Sequence, residues 1–159
     1  MEILWQELTN GIPNAEHLAR VIIRLIAAVV VGAMIGYERE HAGKPAGLRT
    51  HMLVSLGTCV LVLAGSFFGM SSDGLSRVIQ GIATGIGFIG TGSILKLDVE
   101  HRVRGLTTAA GLWITAAIGV TVGLGMLGLA IVAAILTVIV LFVLRRFERK
   151  EAASPNPQP

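Results

Sequence analysis

Three groups of charged and hydroxyl side chains lie at the ends of apolar runs, where they could bind an anion. Their members are Glu38, Arg39, Glu40, Arg49, Thr50, Arg104, Thr107 and Thr108. If the runs are helices, two helix N-termini with partial positive charge meet at one surface, and Arg49 and Arg104 would add to their attraction for a phosphate or carboxylate. The favoured alternative is internal. In it, Glu38 pairs with Arg49 or Arg104, and Thr50 and Thr107 cap their helices.

A second charged layer is predicted at the opposite ends of these runs. Arg24 lies about 9 Å inside the first run, counted from Leu18 at 1.5 Å per residue. An arginine at this depth extends its side chain to the surface or pairs with an acid. We expect a structural pair with Asp73, for which Arg77 competes. An outer gate built from these residues is the less favoured interpretation.

The histidines do not predict a metal site. His41, His51 and His101 lie near acidic residues, but none has the spacing of zinc ligands on a helix, and we expect all three to face solvent. A hydrated magnesium ion needs only one or two carboxylates, and nothing in the spacing demands one. Phosphate-binding loops and hydrolase nucleophile motifs are also absent, so the sequence predicts neither an enzyme nor a cofactor.

The third apolar run is rich in glycine. Its glycines are Gly81, Gly85, Gly87, Gly90 and Gly92. Each glycine inside a helix costs about 1 kcal/mol relative to alanine, so a compensating interaction is expected. Close helix packing is the favoured interpretation, because the Gly81–Gly85 spacing recurs at Gly32–Gly36 and Gly119–Gly123. The alternative is a helix that unwinds inside the membrane and lines a path for an ion or solute.

Composition indicates that membrane helices position all these residues. The 159 residues are 53% hydrophobic and 14% charged, whereas soluble domains are about 25% charged. A spanning helix needs about 20 mostly apolar residues. Five runs qualify, at approximately residues 18–37, 51–68, 78–97, 106–124 and 126–144. The predicted fold is an all-α integral membrane protein, a bundle of five transmembrane helices within residues 18–147.

Basic residues are concentrated in alternate connections, which predicts an orientation. Arginine and lysine are frequent after the first, third and fifth runs and scarce elsewhere. Because basic loops remain in the cytoplasm, the N-terminus is expected outside and the C-terminus in the cytoplasm. The same rule accounts for the net charge of +3, and no nucleic-acid partner is expected. Residues 1–17 are predicted to form a periplasmic interfacial segment with Trp5 at headgroup level, and residues 148–159 a disordered cytoplasmic tail.

Several of these stretches agree in order and spacing with one protein family. They are Gly32-Ala-Met-Ile-Gly36-Tyr-Glu38-Arg39-Glu40, Ala46-Gly-Leu-Arg49-Thr50, Gly85-Ile-Gly87-Phe-Ile-Gly90-Thr-Gly92 and Arg104-Gly-Leu-Thr-Thr-Ala-Ala110, followed by Trp113 and Ala117-Ile-Gly119. Over about Arg24 to Leu124 the chain resembles the MgtC/SapB family of bacterial inner-membrane proteins. Thr91 replaces the alanine usual in the third run. We expect the membrane module alone, without the soluble C-terminal domain that many members carry.

The resemblance implies a regulatory protein that acts in acclimation to low magnesium and in intracellular survival. Its implied targets are other membrane complexes, such as the proton-driven ATP synthase. The alternative is a transporter or channel for Mg²⁺, K⁺ or a small organic solute through the third helix. The lack of an acid near the bilayer centre favours regulation. The small-residue faces predict a homo-oligomer, with a dimer favoured, and leave room for a membrane-protein partner within the lipid bilayer.

Overall fold

The computed structural model describes residues 1–4, 14–97 and 102–152, and five helices dominate them. These are α1 (Ala15–His41), α2 (Leu48–Phe67), α3 (Ser72–Gly92), α4 (Leu106–Gly123) and α5 (Leu127–Ala152). Residues 2–4 are also helical. Between α3 and α4, strands β1 (Leu95–Leu97) and β2 (Arg102–Arg104) pair antiparallel, with Leu95 opposite Arg104. The fold is helical, as predicted, and this ribbon is confined to one connection.

The first helix begins at Ala15 because Asn14 caps it. The Asn14 side chain accepts a hydrogen bond from the backbone amide of His17 at 2.8 Å, which satisfies one of the donors left open at a helix start. The helix thus begins three residues before the predicted span, which starts at about Leu18, and the periplasmic location of residues 1–17 stays a prediction. Residues 5–13 of that predicted segment lie outside the described residues.

The third helix is continuous and ends earlier than predicted. The Ser71 hydroxyl caps its start by accepting from the Gly74 amide at 3.3 Å. At its end, the Ser93 hydroxyl donates to the Gly90 carbonyl at 2.7 Å, and residues 95–97 then pair with β2. Residues 78–92 of the predicted range are helical, but its predicted end at Leu97 is wrong, because a short apolar run fits a strand as well as a helix once a ladder partner is present. A third helix that unwinds within the membrane is also contradicted.

The fourth helix, rather than the third, lies at the centre of the bundle. Within the most apolar part of each candidate span, 56% of the α4 residues are buried, compared with 39% for α2 and 22% for α1. On α3, by contrast, Ile86 and Gly90 are the buried residues. The glycine-rich helix is therefore peripheral, and most of its surface faces away from the other described helices.

Glycines bring α1 and α4 close to α2. A Cβ placed at Gly32 would lie 2.7 Å from the carbonyl oxygen of His51, and one at Gly123 would lie 2.8 Å from the Cβ of Val62. Neither position has room for a larger side chain. The apolar core that these contacts enclose includes Ala28, Val31, Ile35, Cys59, Leu63, Ile118 and Val122.

The fourth and fifth helices are joined by a tight turn at Gly125. Its φ of +84° is in the left-handed region, which glycine adopts without steric cost. The fifth helix then runs from Leu127 to Ala152, past the predicted end at residue 144. Residues 148–152 are helical because the helix simply continues, so the predicted disordered tail is wrong for them, and residues 153–159 lie outside the described residues.

Three of the described helices are long and apolar enough to cross a membrane: α1, α2 and α4. The apolar part of α5, Leu127–Val143, is shorter. Because lipid cannot hydrogen-bond an exposed backbone, apolar helices of this length indicate a membrane protein. The number of spans and their orientation remain predictions.

Candidate functional site

A buried ion pair lies at the end of α1. Glu38 is 7% exposed and Arg39 is 1% exposed, and Arg39 Nε donates to Glu38 Oε2 at 2.5 Å. From α5, Arg145 Nη1 approaches Glu38 Oε1 to 3.7 Å, and its Nη2 donates to the His41 carbonyl at 3.4 Å. These contacts tie the end of α1 to α5.

The partner predicted for Glu38 is wrong. Glu38 pairs with Arg39 and approaches Arg145, not Arg49 or Arg104. The last turn of α1 directs the Glu38 carboxylate toward α5, whereas Arg49 is exposed on α2. The position of an acid along one helix does not reveal which neighbouring helix it faces.

The predicted helix caps are also wrong. The N-cap positions of α2 and α4 are Gly47 and Gly105, rather than Thr50 and Thr107. Glu40 caps α2 instead, because its Oε2 accepts a hydrogen bond from the Leu48 amide at 2.8 Å. A carboxylate at a helix N-terminus also complements the helix dipole.

Part of the predicted anion site lines one cavity beside the start of α4. The cavity has a volume of about 590 Å³ and is lined by Gly43, Lys44, Pro45, Ser93, Arg104, Gly105, Thr107 and Thr108. Arg49 and Thr50 do not line it, because they lie on α2. The cavity contains basic and hydroxyl groups suited to an anion, and anion binding there stays a prediction.

His51 is buried, contrary to the expectation that it faces solvent. Its Nδ1 lies 2.8 Å from Thr115 Oγ1 on α4. The Thr115 hydroxyl also donates to the Gly111 carbonyl at 2.7 Å. The contact between His51 and Thr115 therefore joins α2 to α4 inside the bundle. The α1 glycines draw α2 inward and turn this histidine into the bundle.

The interior polar residues form a row that the sequence analysis missed. Ser55 and Thr58 are buried on α2 beyond His51, and the Thr58 hydroxyl donates to the carbonyls of Val54 and Ser55 at 3.0 and 3.1 Å. Residues 51, 55 and 58 share one helix face, since side chains three and four positions apart are neighbours. This spacing of polar residues is the feature of the sequence that could have predicted the row.

At the opposite end of the bundle, Arg24 binds the end of α4 instead of an acid. Its Nη1 donates to the Gly123 carbonyl at 3.0 Å, which satisfies an open carbonyl at a helix C-terminus. The predicted pair with Asp73 is wrong, because a nearer backbone acceptor was not visible from the sequence. Asp73 and Arg77 are exposed residues of α3 that line a separate surface cavity.

The glycines of α3 lie beside an open groove. A Cβ placed at Gly81, Gly85, Gly87 or Gly92 would meet no atom of the described chain within 4 Å, and one at Gly90 would meet Ala109 at 3.5 Å. Gly81 and Gly85 line an apolar groove of about 660 Å³ between α2 and α3. This glycine groove is lined by Leu53, Val54, Gly57, Thr58, Val60, Leu61, Gly81, Ile82, Gly85, Ile86 and Ile89. Packing of Gly81 and Gly85 within this chain is therefore contradicted.

Of the other residues predicted to pack, Gly36 and Gly119 face α2, whereas Trp113 lines a cavity against α3. Gly36 faces α2, where a Cβ would lie 2.7 Å from the Cα of Leu48, and Gly119 faces the backbone of Ser55. Trp113 is half exposed on α4 and lines a small apolar cavity of about 130 Å³ against α3. In the described part of the chain, no cluster of three or more metal-ligating side chains occurs.

The sequence pattern of the MgtC family matches residues 25–150. The chain belongs to the MgtC family. This stretch contains the buried ion pair, the interior polar row and the glycine groove. The MgtC family membership and the apolar helices together indicate a membrane protein.

Three relatives show how far the similarity extends. SrpB of Synechococcus elongatus is 40% identical over 149 residues, which cover 87% of this chain and 81% of SrpB. The putative magnesium transporter YhiD of Escherichia coli is 42% identical over 132 residues, covering 79% of this chain and 60% of YhiD. MgtC of Salmonella typhimurium is 43% identical over 124 residues, covering 78% and 52%. The chain thus aligns with little more than half the length of YhiD and MgtC, and no solved structure matches it.

Proposed function

We propose that this chain is a regulatory protein of the bacterial inner membrane that acts on another membrane complex during acclimation to low magnesium and in intracellular survival. The observation that carries the proposal is the open glycine groove between α2 and α3. Membership of the MgtC family supports the link to magnesium, as does the name of its relative YhiD.

The glycine groove suits an apolar helix of a partner protein. Gly81 and Gly85 provide a surface without side chains, and the flanking residues Leu53, Leu61 and Ile89 are about half exposed or more. Membrane helices associate where small residues let their backbones approach closely. The lining carries one polar side chain, that of Thr58, so a charged or strongly polar partner segment would be poorly matched. The occupant we propose is a spanning helix of a complex such as the proton-driven ATP synthase.

We further propose that all five helices cross the membrane, with the N-terminus outside and the C-terminus in the cytoplasm. The hydrogen bond from Arg145 to the His41 carbonyl supports this arrangement. It joins the end of α1 to the end of the apolar part of α5, close to the basic connection that contains Lys44. Basic segments on one side fit the distribution of charge in membrane proteins.

Filling the glycine groove tests the regulatory role. Gly85→Leu places a large side chain in the groove, whereas Gly87→Leu makes the same change on α3 at an open position that does not line it. We expect Gly85→Leu to reduce co-purification with the ATP synthase at least tenfold and to impair growth at low magnesium. Gly87→Leu should behave like the unaltered protein.

Two results would contradict this proposal. Equal recovery of the ATP synthase with Gly85→Leu and Gly87→Leu would remove the groove as the binding surface. Loss of disulfide-trapped homodimers by Gly85→Leu, with binding to the complex unchanged, would assign the groove to a second copy of the chain.

A second candidate function is transport, and the interior polar row favours it. His51, Ser55, Thr58 and Thr115 are buried polar residues in an otherwise apolar bundle, and such residues often mark a solute path. Purified protein in liposomes would then pass Mg²⁺, K⁺ or an organic anion, and His51→Leu would reduce the flux. No flux of any of the three would contradict transport.

A further inference from the structure

The cavity beside the start of α4 brings together side chains from three parts of the chain. Lys44 and Pro45 come from the connection after α1, Ser93 from the end of α3, and Thr107 and Thr108 from the first turn of α4. Its volume is about 590 Å³, and no acid occurs among the described residues that line it. The cavity shares no lining residue with the glycine groove, so the two surfaces can be tested separately.

Helix α4 begins without a side-chain cap from the described residues, whereas side chains cap α1, α2 and α3. Its N-cap is Gly105, and the Ala109 amide donates to the Gly105 carbonyl at 2.9 Å to close the first turn. The amides of residues 106–108 precede this bond and have no carbonyl partner in the helix. The first turn also contains no acid. An open helix start of this kind carries partial positive charge and attracts anions.

The hydroxyl of Thr108 is a second indication of a ligand in this cavity. Threonines inside the helices, such as Thr91 and Thr115, donate to the carbonyl four residues earlier. Four residues before Thr108 the chain still belongs to β2, and the Thr108 hydroxyl has no hydrogen-bond partner among the described residues. Thr108 is 1% exposed, but its hydroxyl is not one of the fully enclosed atoms without a partner, so it retains open surface at the cavity. Buried polar groups are almost always hydrogen-bonded, which indicates a bonding partner there.

The connection after α1 holds Lys44 beside the same cavity. Gly43 has a φ of +66°, which reverses the chain direction after the helix, and the Lys44 amide donates to the Arg39 carbonyl at 3.0 Å. Lys44 takes part in none of the ion pairs found among the described residues, so its charge is available to an anion. A lysine ammonium binds a phosphate as a compact point charge.

We propose that this cavity binds a phosphate group, supplied by an anionic phospholipid or by a soluble phosphate compound. Three kinds of donor meet there: the Lys44 ammonium, the hydroxyls of Thr107 and Thr108, and the open amides of the first turn of α4. The oxygens of a phosphate group form a tetrahedron and accept from several directions at once, whereas the oxygens of a carboxylate lie in one plane. The site exists whether or not the chain regulates a partner.

Binding assays on the full chain in nonionic detergent test the proposal with two probes. Native mass spectrometry measures the affinity of the tightest-bound phosphatidylglycerol molecule, and equilibrium dialysis measures that of radiolabelled inorganic phosphate. We expect at least one probe to bind. Binding of phosphatidylglycerol alone would assign the site to a lipid headgroup. Binding of inorganic phosphate, with or without the lipid, would assign it to a soluble phosphate compound.

Two substitutions tie the binding to this cavity. Thr108→Val removes the hydroxyl and keeps the shape of the side chain, and Lys44→Gln removes the charge. Each should weaken binding about tenfold, because a donor to a charged group is lost. The matched controls, Thr91→Val on α3 and Arg49→Gln on α2, make corresponding changes outside the cavity and should leave the affinity unaltered.

Lys44 is exposed, so Lys44→Gln remains a test even if Thr108→Val does not fold. Failure of both probes to bind the unaltered protein would overturn the proposal. So would binding that Lys44→Gln weakens no more than Arg49→Gln does, or folded Thr108→Val protein that binds as tightly as Thr91→Val.

Discussion

At the level of single residues, the free energy of the buried Glu38–Arg39 ion pair is a balance of two opposing contributions. Removing two charges from water costs several kcal/mol per ion, and their attraction repays this only when geometry and further contacts are favourable. Here the carboxylate receives Arg39 at one oxygen and has Arg145 near the other. The pair therefore joins α1 to α5 most strongly when all three charges are present.

Replacing Arg39 with alanine should destabilise the protein strongly. Glu38 would remain buried without its close partner, and breaking such a pair costs about 3–5 kcal/mol. Arg49→Ala, at an exposed position of α2, should change the free energy of unfolding by less than about 0.5 kcal/mol. Titration with denaturing detergent in mixed micelles measures both, and similar losses for the two variants would contradict the structural role of Arg39.

At the level of helices, the bundle is closely packed where α1 and α4 meet α2, and it is open beside α3. Glycines of α1 and α4 contact the α2 backbone, with no room for a side chain. Four glycines of α3 have open space around them instead: Gly81, Gly85, Gly87 and Gly92. The same residue type thus fixes internal packing on one side and leaves a surface available for a partner helix on the other.

Two alanine substitutions distinguish these roles of glycine. A Cβ at Gly119 would collide with Ser55 and Thr58, so Gly119→Ala should cost about 1–3 kcal/mol of stability, as overpacking does. A Cβ at Gly57 would meet nothing within 4 Å, and Gly57→Ala should stabilise α2 by up to about 1 kcal/mol. The detergent titration would contradict the packing if Gly119→Ala proved as stable as Gly57→Ala.

For the whole molecule, the arrangement of charge predicts how the bundle sits in the membrane. The connection after α1 and the end of α5 are basic, whereas the turns after α2 and α4 carry no arginine or lysine. The connection after α1 and the end of α5 should therefore lie on one side of the membrane, and the turns after α2 and α4 on the other side.

Reporter fusions test this orientation. Alkaline phosphatase, which folds only outside the cytoplasm, should be active when fused after Met70 and inactive when fused after Lys44. Green fluorescent protein should give the reverse pattern. Activity of the phosphatase at Lys44 and not at Met70 would show that the bundle is inverted.

The sequence by itself determined the class of protein, its family and the approximate place of its helices. Long apolar runs must be helical in lipid, because every backbone polar group needs a partner within the segment. The glycine and charge spacings of residues 24–124 also carried the family resemblance, which the match over residues 25–150 confirms.

Only the tertiary structure decided which faces point inward. Lipid is as apolar as a protein core, so the hydrophobic pattern of a spanning helix does not distinguish its buried side from its exposed side. For this reason His51 was expected at the surface but lies inside, and Arg24 binds a carbonyl of α4 rather than Asp73. The end of α3 was likewise set by strand pairing between residues distant in the chain. The polar spacing of residues 51, 55 and 58 was visible in the sequence, but its enclosure depends on glycines of two other helices.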